Sequence, residues 1–381
     1  MMHRNAIHIL LLTVLGLSFL GLVMLSSTAA YAYESRGDIY YFLKRQGLWL
    51  AISLGVAFVA GALDYRIWVR VWPWALGLTM VLLVLCFVPP VGFRINGSNR
   101  WVHFGFVTFQ PSEMAKVCAV VILAWWYSGK QREVHNFWHG IGVPVLFLAG
   151  LTLPIFLEVD LGTTALIWTT GFLIMFLAGA PLKWLCVLGG AGVLGGIFAI
   201  WKMPERVMRV LAFLEPEKHR LGEGLQQWQA LIAFGSGGVD GLGLGQGRQK
   251  LLYLPYAHTD FIFPMVGEEL GLKFTLVTVL AYLVICLCGI QVALMARDRF
   301  GSFLAFGSTV ILTVQAAVNI GVTTSLLPNK GIPLPFISFG GSNLLVCWFL
   351  VGLLVSIHRH GRVLMNLESP VLRQRPIYCR I

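Results

Sequence analysis

Ten runs of mostly apolar residues, each near the length a helix needs to cross a bilayer, recur from one end of this chain to the other. They lie near residues 6–30, 47–62, 71–88, 112–128, 141–157, 161–180, 184–201, 268–296, 302–325 and 342–358. A helix crossing roughly 30 Å of hydrocarbon takes about 20 residues, and lipid tolerates only backbone whose polar groups are satisfied internally. The pattern therefore predicts an all-α, polytopic integral membrane protein with about ten transmembrane helices. The 381 residues are 57% hydrophobic and only 12% charged, far from the balance of a soluble domain. The first run follows a short basic start, as a signal peptide does, but it is too long for an ordinary signal core and is read as a retained span. Nothing between the runs is long enough for a second domain, so residues 1–381 are expected to form one membrane domain.

The formal net charge is +11. In a soluble chain that would suggest nucleic acid as a partner; here the basic residues sit between apolar runs, and no nucleic acid is expected. Ten spans put both termini on one side. With the termini cytoplasmic, the inner segments hold thirteen Lys and Arg and the short outer loops six, as the positive-inside bias requires. Residues 359–381 then form a cytoplasmic tail. The outer side owns 89–111, a long extracytoplasmic loop at 202–267 between spans seven and eight, and 326–341. The seven cysteines fall mostly inside apolar runs, with no CxxC pair and no metal-ligand spacing, so neither a disulfide nor a zinc site is expected.

The polar residues gather in these outer segments. In 248–273, RQKLLYLPYAHTDFIFPMVGEELGLK, a lone carboxylate, Asp260, follows His258 and Thr259 at the mouth of a span, with Glu268 and Glu269 about two turns later. A part-buried acid there has a raised pKa, as a general base near neutrality needs; capping the following helix is the structural alternative. Upstream, Arg248 and Lys250 offer charge for a pyrophosphate, or simply a basic loop beside lipid head groups. The glycine-rich stretch before them lacks a preceding strand and a GK[ST], so a P-loop is excluded, and its glycines are expected to fold the loop back on the bundle. Residues 201–220 carry apolar side chains at helical intervals, as in a helix lying in the interface.

In 89–116, the Asn96-Gly97 turn precedes Arg100 and Trp101, a binding lip or an interfacial anchor. Ser112 and Glu113 suit a helix start. Glu113 and Lys116 share a helix face inside an apolar run, where opposite charges must either pair structurally or line a polar cavity. Glu158 and Asp160 stand at the junction of two spans; capping the next helix is their plainer role, and two acids alone do not make a Mg2+ or Mn2+ site. The run 326–345, LLPNKGIPLPFISFGGSNLL, cannot continue a helix and reads as a re-entrant segment lining the same vestibule, with Lys330 and Ser338 along it.

Taken together and in order, NGSNRW (96–101), FQPSEMAK (109–116), LEVDLGT (157–163), QALIAFGSGG (229–238), LGLGQGRQKLLYLPYAHTDFIF (242–263), GEELG (267–271) and LPNKGIPLPFISFGGSNLL (327–345) resemble the SEDS family of bacterial cell-wall growth, its division-type FtsW branch more than its RodA branch. The chain departs from the family pattern at Val159 (usually proline), Tyr256 (usually an acid), Phe339 (usually tyrosine) and Asn343 (commonly serine). The resemblance implies a peptidoglycan glycosyltransferase of the bacterial inner membrane that polymerises lipid II at the division septum. It also implies a class B penicillin-binding protein and other division proteins as partners. Asp260 becomes the expected base, with Arg100, Trp101, Glu113, Lys116, Arg248, Lys250, His258, Lys330 and Ser338 expected at the substrate. Whether a divalent cation, Mg2+ or Mn2+, takes part is left open. Ten spans and in-membrane charges also suit a lipid II flippase, and a scaffold that recruits the penicillin-binding protein would leave Asp260 dispensable.

Overall fold

Each of the ten apolar runs holds a helix in the computed structural model, which describes residues 2–27, 37–89, 92–95, 98–104, 107–202, 204–250 and 258–367. Tyr256, the Asn96-Gly97 pair and the tail beyond 367 lie outside them. The helices in these runs are α1 (Met2–Ser27), α2 (Tyr41–Ala62), α3 (Trp68–Leu85), α4 (Pro111–Lys130), α5 (Val143–Leu157), α6 (Leu161–Ala178), α7 (Leu182–Trp201), α10 (Ile262–Leu294), α11 (Arg299–Thr323) and α12 (Gly341–Leu367). Between the seventh and eighth spans run two shorter helices, α8 (Pro204–Leu214) and α9 (Leu225–Gly237). Among the described residues, eight helices are long and apolar enough to cross a membrane. The other two expected spans are α7, apolar over 182–198, and α4, whose hydropathy is lowered by Glu113 and Lys116.

Large apolar side chains such as Phe58 and Trp74 point outward, 78% and 80% exposed, because the solvent of these helices is lipid and their outer faces need not be polar. Enclosure is greatest for α11 and α12. Around them, α12 packs on α2, α11 on α4 and α10, and α1 and α9 on α10. At one end of this bundle Asp260 comes within electrostatic reach of Arg100 and Asp160.

Two features depart from the expected all-helical chain. Three strands, β1 (Gly92–Ile95), β2 (Ser98–Phe104) and β3 (Val107–Phe109), form an antiparallel sheet in the order β1-β2-β3. The signal lay in the Asn-Gly dipeptide between β1 and β2, flanked by aromatic and β-branched residues. The second departure is α10, which begins six residues before the expected boundary at 268 and breaks at Gly271 (φ 75°, ψ −173°). That break frees the carbonyls of Glu268 and Glu269, which accept from the N–H groups of Leu242 (2.9 Å) and Gly243 (3.0 Å), while Leu272 N–H donates to Gly238 (3.0 Å). The glycine-rich loop thus folds onto the bundle, backbone against backbone, as expected.

A Cβ on Gly271 would stand 2.4 Å from the Gly241 nitrogen, in a backbone region that essentially only glycine occupies. Gly271→Ala is therefore expected to cost about 3 kcal/mol or more of stability. Thermal unfolding in detergent, with Gly190→Ala as the control because a Cβ there meets open space, measures the difference.

Candidate active site

Asp260 lies just before α10, whose N-cap is Phe261 and makes no side-chain capping bond, so the carboxylate is not spent on the helix start. It is half-buried. Its backbone carbonyl accepts a hydrogen bond from Asn319 Nδ2 on α11 (2.7 Å), and its Oδ2 rests so near Gly331 that a Cβ there would be 2.8 Å away. Burial pushes Asp260 up to about 6; the Arg100 guanidinium opposes the rise and the Asp160 carboxylate adds to it. This is the range of a base poised near neutrality.

Gly331 also lines a small polar cavity that opens toward solvent, together with Gln110, Thr163, Gln315 and the pair Glu113 and Lys116. Lys116 Nζ stands 2.7 Å from Glu113 Oε2, both side chains at most 4% exposed, and donates to Gln315 Oε1 at 2.8 Å. Gln315 Nε2 in turn donates to the Pro333 carbonyl and to Asn343 Oδ1, both at 2.8 Å. Both alternatives for the pair therefore hold: it is a buried ion pair, and it lines a polar cavity beside Asp260. Ser112 and Glu113 do not cap α4, which starts on Pro111 with Gln110 as its N-cap and no capping side chain.

Asp160 does cap α6, accepting from Thr163 N (3.1 Å) and Thr163 Oγ1 (2.9 Å), and from Gln110 Nε2 at 3.2 Å. Glu158 is 1% exposed, and burial pushes it up to about 8, so it keeps its proton at neutrality. Between them Val159 has φ 65°, a left-handed value that a proline ring cannot adopt. Arg100, on β2, holds the turn: its Nη2 donates to the Val159 carbonyl at 2.8 Å. Trp101 follows it on β2, half-buried.

The other residues expected at the substrate divide between cavity and scaffold. Lys250 is buried and turned inward, donating at 2.7 Å both to Glu269 Oε1 and to Ser27 Oγ. Its charge is committed to a carboxylate, so a pyrophosphate clamp from Lys250 is corrected to an ion pair that anchors the loop. Arg248 is exposed, with its backbone N–H on Glu268 Oε1 at 2.8 Å. His258 is buried and stacked on Phe42 with ring centroids 4.4 Å apart, and burial lowers it to about 4, leaving a neutral ring. Ser338 Oγ accepts from Leu334 N (2.8 Å) and donates to the Thr259 carbonyl (2.6 Å). It staples the 326–340 segment to the Asp260 segment instead of facing a ligand. Lys330 is half-buried, next to Gly331.

Sequence reasoning missed Gln315 and Asn319. Their signal was available: two amides four residues apart, on one face of an apolar span.

The profile of the family described as Cell cycle protein, the FtsW, RodA and SpoVE proteins, matches residues 7–363. The chain belongs to this family. A relative from Geobacter metallireducens named "Probable peptidoglycan glycosyltransferase FtsW" is 39% identical over 351 residues, 92% of this chain and 93% of its own. "Stage V sporulation protein E" of Bacillus subtilis is 38% identical over 357 residues, 93% of this chain and 97% of its own. Among solved structures, a chain from "Structural coordination of polymerization and crosslinking by a peptidoglycan synthase complex" is 27% identical, with a TM-score of 0.77 over 92% of this chain and 97% of that one. The rod shape determining protein RodA of Thermus thermophilus is 26% identical, with a TM-score of 0.68 over 92% of this chain and 95% of that one. The polytopic family fold is that expected from the apolar runs.

Proposed function

We infer that this family member is a peptidoglycan glycosyltransferase that polymerises lipid II into β-1,4-linked glycan at the outer face of the bacterial inner membrane, in septal wall synthesis. One observation carries the reading: an acid with a raised pKa, Asp260, stands over the rim of a polar cavity at Gly331. Asp260 takes the proton from the 4-hydroxyl of the acceptor N-acetylglucosamine. That oxygen attacks the anomeric carbon of the donor N-acetylmuramic acid in line, the bond to undecaprenyl pyrophosphate breaks, and the α linkage inverts to β. The leaving group departs as an anion and needs no second protein acid. We assign Arg100 and the exposed Arg248 to meeting its charge. Among the described residues no three His, Cys, Asp or Glu side chains gather as a metal cage, so no step is assigned to Mg2+ or Mn2+. The likeness to a chain of a synthase complex supports a class B penicillin-binding protein as partner.

The test is polymerisation of labelled lipid II by the purified chain with such a partner. Glycan ladders are expected, with a rate that depends on pH in a defined sense. Asp260 works as its anion, so turnover at saturating lipid II rises as pH rises through about 6 and falls roughly tenfold per unit below it. No ladders at any pH, with lipid II crossing liposomes, would transfer the reading to a flippase.

A further inference from the structure

We propose that Asn319 is a positioning residue, whose side-chain amide fixes where the Asp260 carboxylate stands over the cavity by tying the Asp260 segment to the 331–333 segment. The inference rests on the reading of Asp260 as the base. Asn319 is 1% exposed on α11, and its Nδ2 donates both to the Asp260 carbonyl and to the Ile332 carbonyl, each at 2.7 Å. Two segments are thereby referenced to one rigid helix. One turn earlier, Gln315 donates to the next carbonyl, Pro333, so the cavity wall is pinned at two successive residues. Gly331, adjacent to the pinned pair, touches the Asp260 carboxylate, and a Cβ there would be 2.8 Å from Oδ2. The bond from Asn319 fixes the backbone of residue 260, and Gly331 packs against the carboxylate that this backbone carries.

The residue type follows from the geometry. An amide nitrogen carries two N–H groups and can serve both carbonyls, whereas an isosteric leucine donates nothing and an aspartate sets a charge against two oxygens. A base displaced by about 1 Å loses on the order of 100-fold in rate without any change in what the enzyme binds. Substrate affinity depends on the cavity walls as a whole, so the effect belongs in kcat.

The experiment uses the full chain with its penicillin-binding protein partner and labelled lipid II, comparing wild type, Asn319→Ala and Gly331→Ala. In both variants turnover is expected to fall about 100-fold with KM within about twofold. In Asn319→Ala the acid limb of the pH profile is also expected to move to lower pH, because a loosened carboxylate gains water. The charged and titratable groups around Asp260 stay the same in both variants: Arg100 on β2, Asp160 at the start of α6, His258 on its own segment, Lys330 beside Gly331, and Glu113 with Lys116 across the cavity. A merely structural role would reduce the amount of active protein and leave the limb in place. If Asn319→Ala does not fold, Gly331→Ala decides alone. Wild-type turnover in both variants, or loss with an unmoved limb in Asn319→Ala, overturns the inference. A wild type that makes no glycan at all overturns the function on which it rests.

Discussion

Asp260→Asn is expected to reduce glycan polymerisation by 10³-fold or more while leaving the protein folded. The substitution removes the carboxylate proposed to accept the acceptor's proton, and a positioned base contributes on the order of 10² to 10⁴. It should disturb little else. Asn319 binds the backbone carbonyl of residue 260, not its side chain, and an isosteric amide keeps the contact with Gly331. Unfolding in detergent should therefore match wild type, and glycan ladders on a gel should vanish. Ladders of near-normal intensity would remove Asp260 as the base.

The second large effect concerns stability. Lys116→Met leaves Glu113 buried without the ammonium 2.7 Å away, and leaves Gln315 Oε1 without its donor. Breaking one side of a buried pair costs about 3–5 kcal/mol, more than the pair itself contributes, because the remaining charge has no water to turn to. The double variant Glu113→Gln with Lys116→Met should regain most of that loss, since no charge is left uncompensated. Polymerisation should not return with stability, because both side chains line the cavity beside Asp260. Thermal unfolding of the single and double variants, alongside turnover, separates the two roles. Full recovery of activity in the double variant would reduce the pair to a structural element.

The site was legible in part, and the divide follows the physics. Asp160 was readable as a cap because capping is local, acting within three residues. Glu113 and Lys116 were readable as a pair because a helix places residues three apart on one face. Lys250 was not: the sequence shows a basic loop before Asp260, while the carboxylate and hydroxyl that claim it come from Glu269 and from Ser27 at the far end of α1. Ser338 and His258 were named beside Asp260 correctly as neighbours, yet the structure gives them work in joining segments, in a hydrogen-bonded staple and a stacked ring.

What the sequence determined by itself is the polytopic helical fold and the order of its apolar runs. A bilayer accepts only helices of a certain length and apolarity, a constraint that operates along the chain and can be read from each run alone. Tertiary structure decided which polar groups face the cavity and which face one another. The break at Gly271 exists because a loop from 238–243 supplies the hydrogen bonds that the helix gives up. Asn319 acquires its role only because two distant segments bring their carbonyls to one amide. In a low-dielectric interior every polar group must find a partner, and the identity of that partner is a property of packing rather than of any single stretch of residues.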